Sequence, residues 1–245
     1  MRHIPNILTS LNLASGFIAV LFASSGNLTF ASWLILAAMI FDFSDGFSAR
    51  LLKAWSPIGK ELDSLADIVS FGVAPALIIF MTAKNPEYVS SSIPALNNYG
   101  FLRNLAIYLT VLMPVCAGLR LAKFNIDETQ RSSFRGLPTP ANALAVISLV
   151  IAAHYSDSSL LNSLISSEIF LIVITLSLSF LMVSRIPLLS LKFSSLRFSG
   201  NEGRYLLAII VAVFLLILGI AASPLIIVLY IIISLLSGRF RRPAL

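Results

Sequence analysis

Residues 28–82 decide the fold, and they read LTFASWLILAAMIFDFSDGFSARLLKAWSPIGKELDSLADIVSFGVAPALIIFMT. This stretch contains two apolar runs, 28–52 and 61–82, and each is long enough to cross a bilayer, which takes about 20 residues in a helix. The short link between the runs contains Pro57, so the two helices should form a hairpin. Acidic residues lie on both runs close to this link, which predicts a membrane hairpin with carboxylates gathered at one end.

The composition of the whole chain agrees with a membrane protein. The chain has 245 residues, of which 58% are hydrophobic and 11% are charged, whereas a soluble domain has about 25% charged residues. Mean hydropathy is +0.93. These values exclude a water-soluble globule and a disordered chain. The apolar residues form continuous runs instead of alternating, which favours helices over an outer-membrane barrel. We attribute the net charge of +6 to cytoplasmic loops and anionic lipid, with no nucleic-acid partner.

We predict an all-α polytopic membrane protein with eight transmembrane helices, or seven if the last two form one bent helix. The predicted helices cover residues 7–25, 28–52, 61–82, 103–123, 138–155, 166–183, 204–221 and 224–238. With eight helices, all of the 17 Lys and Arg residues except Lys84 and Arg103 fall on one side of the membrane. Positive charge accumulates on the cytoplasmic side. Both termini should therefore be cytoplasmic, as should the acidic end of the hairpin.

The acidic residues are spaced so that they share helix faces. Asp42 and Asp45 are three residues apart, and Asp63 and Asp67 are four apart, spacings that place side chains on the same side of a helix. Small residues continue these two faces: Gly46, Ala49 and Gly59. Four carboxylates should therefore face one cleft at the cytoplasmic surface. Acidic side chains in membrane helices are costly and usually functional.

This carboxylate cluster predicts a divalent cation site. Two carboxylates about 6 Å apart repel by roughly 3 kcal/mol at an effective dielectric of 20. Pairing with Arg50, Lys53 and Lys60 is the structural alternative, but the two lysines can extend to water. With Cys116 as the only cysteine and only two histidines, the oxygen ligands point to Mg²⁺, Mn²⁺ or Ca²⁺ and away from zinc. Small neighbouring residues leave room for a bulky ligand, and protein-bound Mg²⁺ is usually shared with substrate phosphates. The residues alone suggest metal-assisted chemistry on a phosphate compound.

The complete pattern is Asp42-x2-Asp45-Gly46-x2-Ala49-Arg50-x8-Gly59-x3-Asp63-x3-Asp67, and it resembles the motif of the CDP-alcohol phosphatidyltransferase family at every position and gap. Within that family, the chain is most similar to the CDP-diacylglycerol–serine O-phosphatidyltransferases. Four segments, less specific than the aspartate motif, carry this second similarity: residues 5–16, 70–75, 120–125 and 134–141. The resemblance implies a six-helix membrane core, here residues 1–183, that functions as a homodimer. Residues 184–245 would then add a cytoplasmic connection and a C-terminal helix pair.

The resemblance also implies an activity, in which the phosphatidyl group of CDP-diacylglycerol is transferred to the hydroxyl of L-serine and CMP is released. Two divalent ions, Mg²⁺ or Mn²⁺ with Ca²⁺ as a further possibility, would be held by Asp42, Asp45, Asp63 and Asp67. Asp67 would also be the general base. Residues expected at the CDP moiety are Thr9, Asn12, Gly46, Ala49, Arg50 and Gly59. Arg50 could instead hold the carboxylates in place, and Thr9 and Asn12 could instead be polar residues of helix packing.

Serine binding needs a cation for the serine carboxylate, and arginine suits a bidentate contact with it. Arg120 is the first candidate because it ends the fourth helix on the cytoplasmic side. Arg131 and Arg135 lie on the same side, and Asn125 could bind the polar groups of serine. Each arginine could alternatively be an ordinary cytoplasmic anchor.

Two other functions fit part of the pattern. A phosphatidylglycerophosphate or phosphatidylinositol-phosphate synthase of the same family would need a denser basic pocket for its phosphorylated acceptor. A cation-coupled transporter would also carry acidic residues within its helices. However, its site is expected near the membrane midplane between inverted repeats, whereas these carboxylates lie at one membrane face and no such repeat is visible. We therefore place the protein in the cytoplasmic membrane, with its site facing the cytoplasm.

Overall fold

A computed structural model describes residues 3–54, 56–85, 100–126, 134–156, 158–188 and 202–240. Within these ranges the regular secondary structure is helical apart from one short pair of strands. The helices are α1 (Ile4–Ser24), α2 (Leu28–Leu51), α3 (Pro57–Asp67), α4 (Ala74–Lys84), α5 (Phe101–Leu109), α6 (Leu112–Ile126), α7 (Thr139–Tyr155), α8 (Ser159–Ser166), α9 (Glu168–Val183), α10 (Glu202–Leu218) and α11 (Leu225–Phe240). A π-helical turn, Ile68–Val73, joins α3 to α4, and a 3₁₀ turn, Gly219–Ala222, follows α10. The strands are β1 (Phe134–Arg135) and β2 (Pro187–Leu188).

Several of these helices are long and apolar enough to cross a membrane. Five qualify on their own: Ile4–Ser24, Leu28–Leu51, Pro57–Lys84, Phe101–Ile126 and Tyr205–Ala222. The pair α8 and α9, bent by 76° at their junction, makes a sixth span if counted together. Two apolar helices are shorter, Thr139–Tyr155 and Leu225–Leu235. The protein is therefore a polytopic, helical, integral membrane protein, and the count of eight stays a prediction.

Helices α2, α3 and α9 begin where a side chain accepts a hydrogen bond from a free backbone N–H group. The side chain of Asn27 accepts from the Phe30 amide before α2, and Ser56 accepts from the Gly59 amide before α3. Ser167 does the same for α9 by accepting from the Phe170 amide. Such caps satisfy amides that have no partner inside the helix. Capping at Ser56 starts the third span four residues earlier than hydropathy predicted.

Close packing of α1 brings its first half against the site-bearing helices. Helix α1 contacts α2, α3, the π turn and α4. A Cβ added at Gly16 would lie only 2.7 Å from Ser70 Cα, so the two backbones approach closely there. The Ser70 hydroxyl donates to the Asn12 carbonyl at 3.0 Å. This contact fixes the position of α1 beside the residues that follow Asp67.

The π turn is held by neighbouring helices. A π turn leaves the regular i to i−4 hydrogen-bond pattern and often occurs at functional sites. The side-chain amide of Asn142, on α7, donates to the Phe71 backbone carbonyl at 2.9 Å. On the other side, a Cβ added at Gly72 would lie 3.1 Å from Ala117 Cβ on α6. The end of α3 is thus clamped between α6 and α7.

The strand pair lies at the end of the bundle that carries the site. The last helix, α11, leads back towards that end. Phe134 pairs with Leu188 and Arg135 with Pro187 in an antiparallel register, a feature that the all-α prediction did not include. Helix α11 packs against β2 and α7. The Ser223 hydroxyl, in the turn before α11, donates to the Ser148 carbonyl at 3.1 Å, near the middle of α7. From this turn, α11 runs back towards the site.

Candidate metal centre and active site

Three of the four predicted carboxylates meet at one point between α2 and α3. Asp42, Asp63 and Asp67 each offer one oxygen, and these oxygens lie within 4.8 Å of one another. Asp67 is buried, with 7% of its surface exposed, whereas Asp42 and Asp63 are half-buried. The short link with its Ser56 cap joins α2 to α3, and both helices pack against α1. The three-residue and four-residue spacings then place the aspartates on common helix faces.

Asp45 lies beside this cluster and is held by α1. Its carboxylate accepts a hydrogen bond from the Thr9 hydroxyl at 2.6 Å. Asp45 is 6% exposed and Thr9 is 2% exposed. The charge of Asp63 acts on Asp45, so all four carboxylates form one electrostatic unit. Thr9 therefore contacts a predicted metal ligand, whichever of its two predicted roles it has.

Asp67 has the most elaborate surroundings of the four. Asn12 Nδ2 lies 3.4 Å from Asp67 Oδ1, and the Thr139 hydroxyl lies 3.3 Å from Oδ2. Both donors are buried. The charges of Asp42 and Asp63 repel that of Asp67, and Arg120 attracts it. Helices α1, α6 and α7 thus all contribute to the environment of this one carboxylate.

The set of carboxylate oxygens fits a divalent cation. At 4.8 Å, two carboxylates repel by about 3 kcal/mol at an effective dielectric of 20. The three oxygens are close enough to share one ion, and hard oxygen ligands suit Mg²⁺, Mn²⁺ or Ca²⁺. In the described ranges, the cluster of possible metal ligands consists of Asp42, Asp63 and Asp67. Asp45 is linked to it through the charge of Asp63 and is held separately by Thr9.

The residues predicted to bind the CDP moiety differ from one another in their surroundings. Nothing lies within 4 Å of a Cβ added at Gly46, so there is space beside the cluster. Ala49 is buried one helical turn further on, and Arg50 is exposed. At Gly59 a Cβ would lie 2.8 Å from Asn6 Oδ1 and 2.9 Å from Ser56 Oγ. Gly59 therefore lets α1 approach α3, and its contact with nucleotide stays a prediction.

The predicted serine-binding residues are only partly described. Arg120 on α6 is 8% exposed and acts on Asp67. Asn125 Nδ2 donates to Ser64 Oγ at 2.9 Å, and Lys60 Nζ donates to the Asn125 carbonyl at 2.9 Å. Asn125 thus ties α6 to α3. Arg135 is described only through its backbone in β1, and Arg131 lies outside the described residues.

Two residues near the site were not among the sequence predictions. Thr139 lies in the Pro138-Thr139-Pro140 segment, which was noted for its similarity but given no role. Tyr230 lies on α11, is 3% exposed, and interacts electrostatically with Arg120. No local spacing signals either position, because Thr139 is 72 residues from Asp67 in sequence. The sequence offered only a hydroxyl group within an apolar segment.

Comparison with known proteins identifies a family and several relatives. The family model described as CDP-alcohol phosphatidyltransferase matches residues 2–183. The CDP-diacylglycerol–serine O-phosphatidyltransferase of Bacillus subtilis strain 168 is 33% identical over 186 residues, covering 76% of this chain and 89% of the relative. The enzyme of the same name from Helicobacter pylori strain 26695 is 35% identical over 187 residues, covering 74% and 70%.

An archaeal relative has a different name. The archaetidylserine synthase of Methanothermobacter thermautotrophicus is 32% identical over 171 residues, which cover 69% of this chain. The match spans 66% of that relative, slightly less than two thirds of its length. The family match nevertheless takes in every described carboxylate of the cluster and the helices that surround it. This protein belongs to the CDP-alcohol phosphatidyltransferase family.

Proposed function

We propose that the protein is a phosphatidylserine synthase, a transferase that moves the phosphatidyl group of CDP-diacylglycerol to the hydroxyl of L-serine and releases CMP. The observation that carries this proposal is the buried Asp67, which lies within the three-carboxylate cluster and under the influence of Arg120. The serine synthases among the relatives support the choice of acceptor. We also propose a homodimer in the cytoplasmic membrane, with eight spans and both termini in the cytoplasm. Residues 1–183 form the catalytic core and residues 184–245 the connection and C-terminal helix pair.

The cluster residues bind the phosphatidyl donor, CDP-diacylglycerol, through a divalent cation. Asp42, Asp63 and Asp67, with Asp45 beside them, hold Mg²⁺ or Mn²⁺, one ion or two, with Ca²⁺ as a further candidate. A bound divalent cation neutralises pyrophosphate charge and makes CMP a better leaving group. The open space at Gly46 admits the nucleotide beside α2.

Asp67 acts as the general base in this proposal. Its carboxylate takes the proton of the serine hydroxyl, the serine oxygen forms a bond to the β-phosphorus, and the bond from that phosphorus to the CMP oxygen breaks. CMP leaves with the electron pair. Asn12 and Thr139 hold the two carboxylate oxygens from opposite helices, which orients Asp67 towards the acceptor. Such positioning is a large part of catalysis by a general base.

Arg120 binds the serine carboxylate in this proposal. It is buried at the site end of α6, and among the described residues it is the cation that acts on Asp67. A single buried arginine suits one carboxylate. A phosphorylated acceptor, as used by phosphatidylglycerophosphate or phosphatidylinositol-phosphate synthases, calls for more positive charge.

A panel of acceptors tests the function. Purified protein in detergent is incubated with CDP-diacylglycerol and Mn²⁺ or Mg²⁺, and with L-serine, glycerol 3-phosphate, inositol 1-phosphate or no acceptor. We expect CMP release and phosphatidylserine formation with L-serine, and loss of both when the metals are chelated. CMP formation with glycerol 3-phosphate but not with serine would overturn the choice of acceptor. Cation-driven flux in liposomes with no CMP from any acceptor would favour a transporter.

A further inference from the structure

Helix α1 reaches two carboxylates of the site from one of its faces. Thr9 and Asn12 are three residues apart, a spacing that puts both side chains on the same side of the helix. The Thr9 hydroxyl lies 2.6 Å from Asp45 Oδ2 on α2, and Asn12 Nδ2 lies 3.4 Å from Asp67 Oδ1 on α3. One face of α1 therefore brings hydrogen-bond donors to carboxylates on both helices of the hairpin.

The bond between Thr9 and Asp45 is short, and both residues are buried. A separation of 2.6 Å is typical of a hydroxyl that donates to an ionised carboxylate, and such bonds are roughly twice as strong as neutral ones. Thr9 Oγ1 also lies 3.0 Å from the Pro5 carbonyl oxygen. In a regular α-helix that carbonyl already accepts from the amide four residues later. The single hydroxyl proton is therefore best used on Asp45.

The Thr9 hydroxyl acts from a fixed position. Threonine is β-branched, and inside a helix its hydroxyl can turn back to the carbonyl four residues earlier, as it does here towards Pro5. The helix that carries it is closely seated, since a Cβ added at Gly16 would lie 2.7 Å from Ser70 Cα. The packing of α1 thus sets the place where the carboxylate of Asp45 is held.

This hydroxyl cannot serve Asp45 and a phosphate group at the same time. A hydroxyl has one proton to donate, and an ionised phosphate oxygen only accepts. If Thr9 bound the pyrophosphate of the nucleotide, the buried carboxylate of Asp45 would lose its donor, which is costly. The bond to Thr9 takes one of the two oxygens of Asp45, so the carboxylate can still ligate a cation. Carboxylates that ligate metals are themselves held by hydrogen bonds of this kind.

We infer that Thr9 is a positioning residue of the metal centre, which holds the Asp45 carboxylate so that it joins the other three aspartates in binding the divalent cation. Asp45 lies outside the group of three oxygens within 4.8 Å of one another, so its orientation decides whether it contributes. This inference rests on the proposed function, since it takes the cluster as a metal site. It assigns Thr9 to Asp45 instead of to the nucleotide.

Direct binding of Mn²⁺ to Thr9→Val tests the inference, because valine keeps the branched shape and removes the hydroxyl. The purified full-length protein in detergent is titrated with Mn²⁺ alone, and free Mn²⁺ is measured by electron paramagnetic resonance. We expect the affinity for Mn²⁺ to fall about ten- to hundredfold, as when a metal ligand loses its hydrogen-bond partner. Thr9→Ser retains the hydroxyl and should bind Mn²⁺ within a few-fold of wild type. Unchanged or tighter binding in Thr9→Val would overturn the inference.

Thr175→Val is the matched control for loss of a buried hydroxyl. Thr175 on α9 is fully buried, and its hydroxyl donates to the Leu171 carbonyl at 2.7 Å. This is the same backward bond that Thr9 can make to Pro5, but it joins two residues of one apolar helix. Thr175→Val should keep the wild-type affinity for Mn²⁺. A loss as large as that in Thr9→Val would point to general destabilisation and would overturn the inference.

Kinetics at saturating Mn²⁺ separate positioning from direct contact with the nucleotide. Thr9→Val should need more Mn²⁺ for half-maximal activity, because its defect lies in holding the cation. Once Mn²⁺ is saturating, its KM for CDP-diacylglycerol should equal that of wild type. A KM that stays raised at saturating Mn²⁺ would show that Thr9 contacts the nucleotide, against the inference.

A double variant shows whether Thr9 acts through Asp45. In an Asp45→Asn background, Thr9→Val should weaken Mn²⁺ binding little further, because coupled residues have non-additive effects. Additive losses would contradict the inference. If wild-type protein binds no Mn²⁺, the metal centre of the proposed function fails and the inference fails with it. If wild type binds Mn²⁺ and Thr9→Val binds it equally well, only the inference fails, and the acceptor panel still decides the function.

Discussion

At the scale of single residues, the four aspartates of the cluster have different environments. Asp45 is fixed by the Thr9 hydroxyl and stands outside the group of three oxygens. Asp42 and Asp63 are half-buried, whereas Asp67 is buried and touches both Asn12 and Thr139. These differences support distinct roles within one charged unit. Asp67, whose two carboxylate oxygens each have a buried donor nearby, is the one we assign as base.

Asp67→Asn tests that assignment. The amide cannot accept the serine proton, so we expect turnover to fall at least about 100-fold, the lower end of the usual contribution of a general base. Binding of CDP-diacylglycerol, measured with a labelled analogue in detergent, should remain within a few-fold of wild type. Glu61→Gln is the control, because Glu61 is an exposed carboxylate on the same helix, and it should retain activity. Near-normal turnover in Asp67→Asn would show that the base is elsewhere.

The sequence predicted the carboxylate cluster because the spacing of Asp42, Asp45, Asp63 and Asp67 is a local property of two helices and a short link. It did not predict the surroundings of Asp67 and Arg120. Thr139 and Tyr230 come from distant helices, and their positions depend on how those helices pack. Hydroxyl groups in apolar helices are common, so composition alone could not distinguish these two.

At the scale of secondary structure, the connection from β1 to α7 depends on one glycine. Gly136 has φ +78°, and an added Cβ would lie 2.6 Å from the Met182 carbonyl oxygen and 2.8 Å from that of Ser184. The amide of Leu137 donates to the Leu181 carbonyl at 2.9 Å. This contact joins the start of α7, with Thr139, to the end of α9.

Gly136→Ala should therefore destabilise the protein strongly. The positive φ alone costs roughly 1–2 kcal/mol for a residue with a Cβ, and the contact with two carbonyl oxygens adds to that cost. Gly219→Ala is the control, since Gly219 has φ +60° but nothing within 4 Å of an added Cβ. In detergent thermal-unfolding assays, Gly136→Ala should lower the melting temperature clearly more than Gly219→Ala. Equal shifts would mean that the close contact is not formed.

Each helix predicted from hydropathy has a counterpart to within a few residues, but helix α8 (Ser159–Ser166) and the interruptions were not predicted. The sixth predicted helix, 166–183, begins at the bend, and hydropathy did not indicate that a further helix precedes it. The π turn Ile68–Val73 likewise leaves the hydrophobic pattern intact. Its amide and carbonyl pairing is set by contacts with α6 and α7, which sequence periodicity does not report.

At the scale of the whole molecule, the final helix pair does not decide the sidedness of the termini. The turn at Ser223 contacts the middle of α7 instead of its far end. Whether this pair crosses the membrane twice or enters and returns, we propose that the chain leaves on the side from which it came. Both possibilities agree with the placement of almost all Lys and Arg residues on one side.

Cysteine labelling tests the proposed sidedness. Cys116 is replaced by serine, and single cysteines are placed at the exposed Lys53 and Lys84, at opposite ends of the helices. A membrane-impermeant maleimide added to intact cells should label Lys84→Cys, whereas Lys53→Cys should react only after permeabilisation. The reverse pattern would contradict a cytoplasmic site. Ser223→Cys then tests the count, because eight spans require its labelling from outside.

The π turn after Asp67 has a consequence for how this membrane span can vary. Each residue added to or removed from a helix rotates the part before it relative to the part after it by about 100°. A π turn takes up one extra residue within a single turn, so deleting one residue from 68–73 would let it relax to an ordinary α-helical turn while both halves kept their orientation. Deleting a residue between Asp63 and Asp67, where the helix is regular, would instead rotate Asp63 away from the face that Asp67 shares. This span can therefore lose a residue at the π turn far more readily than among its aspartates.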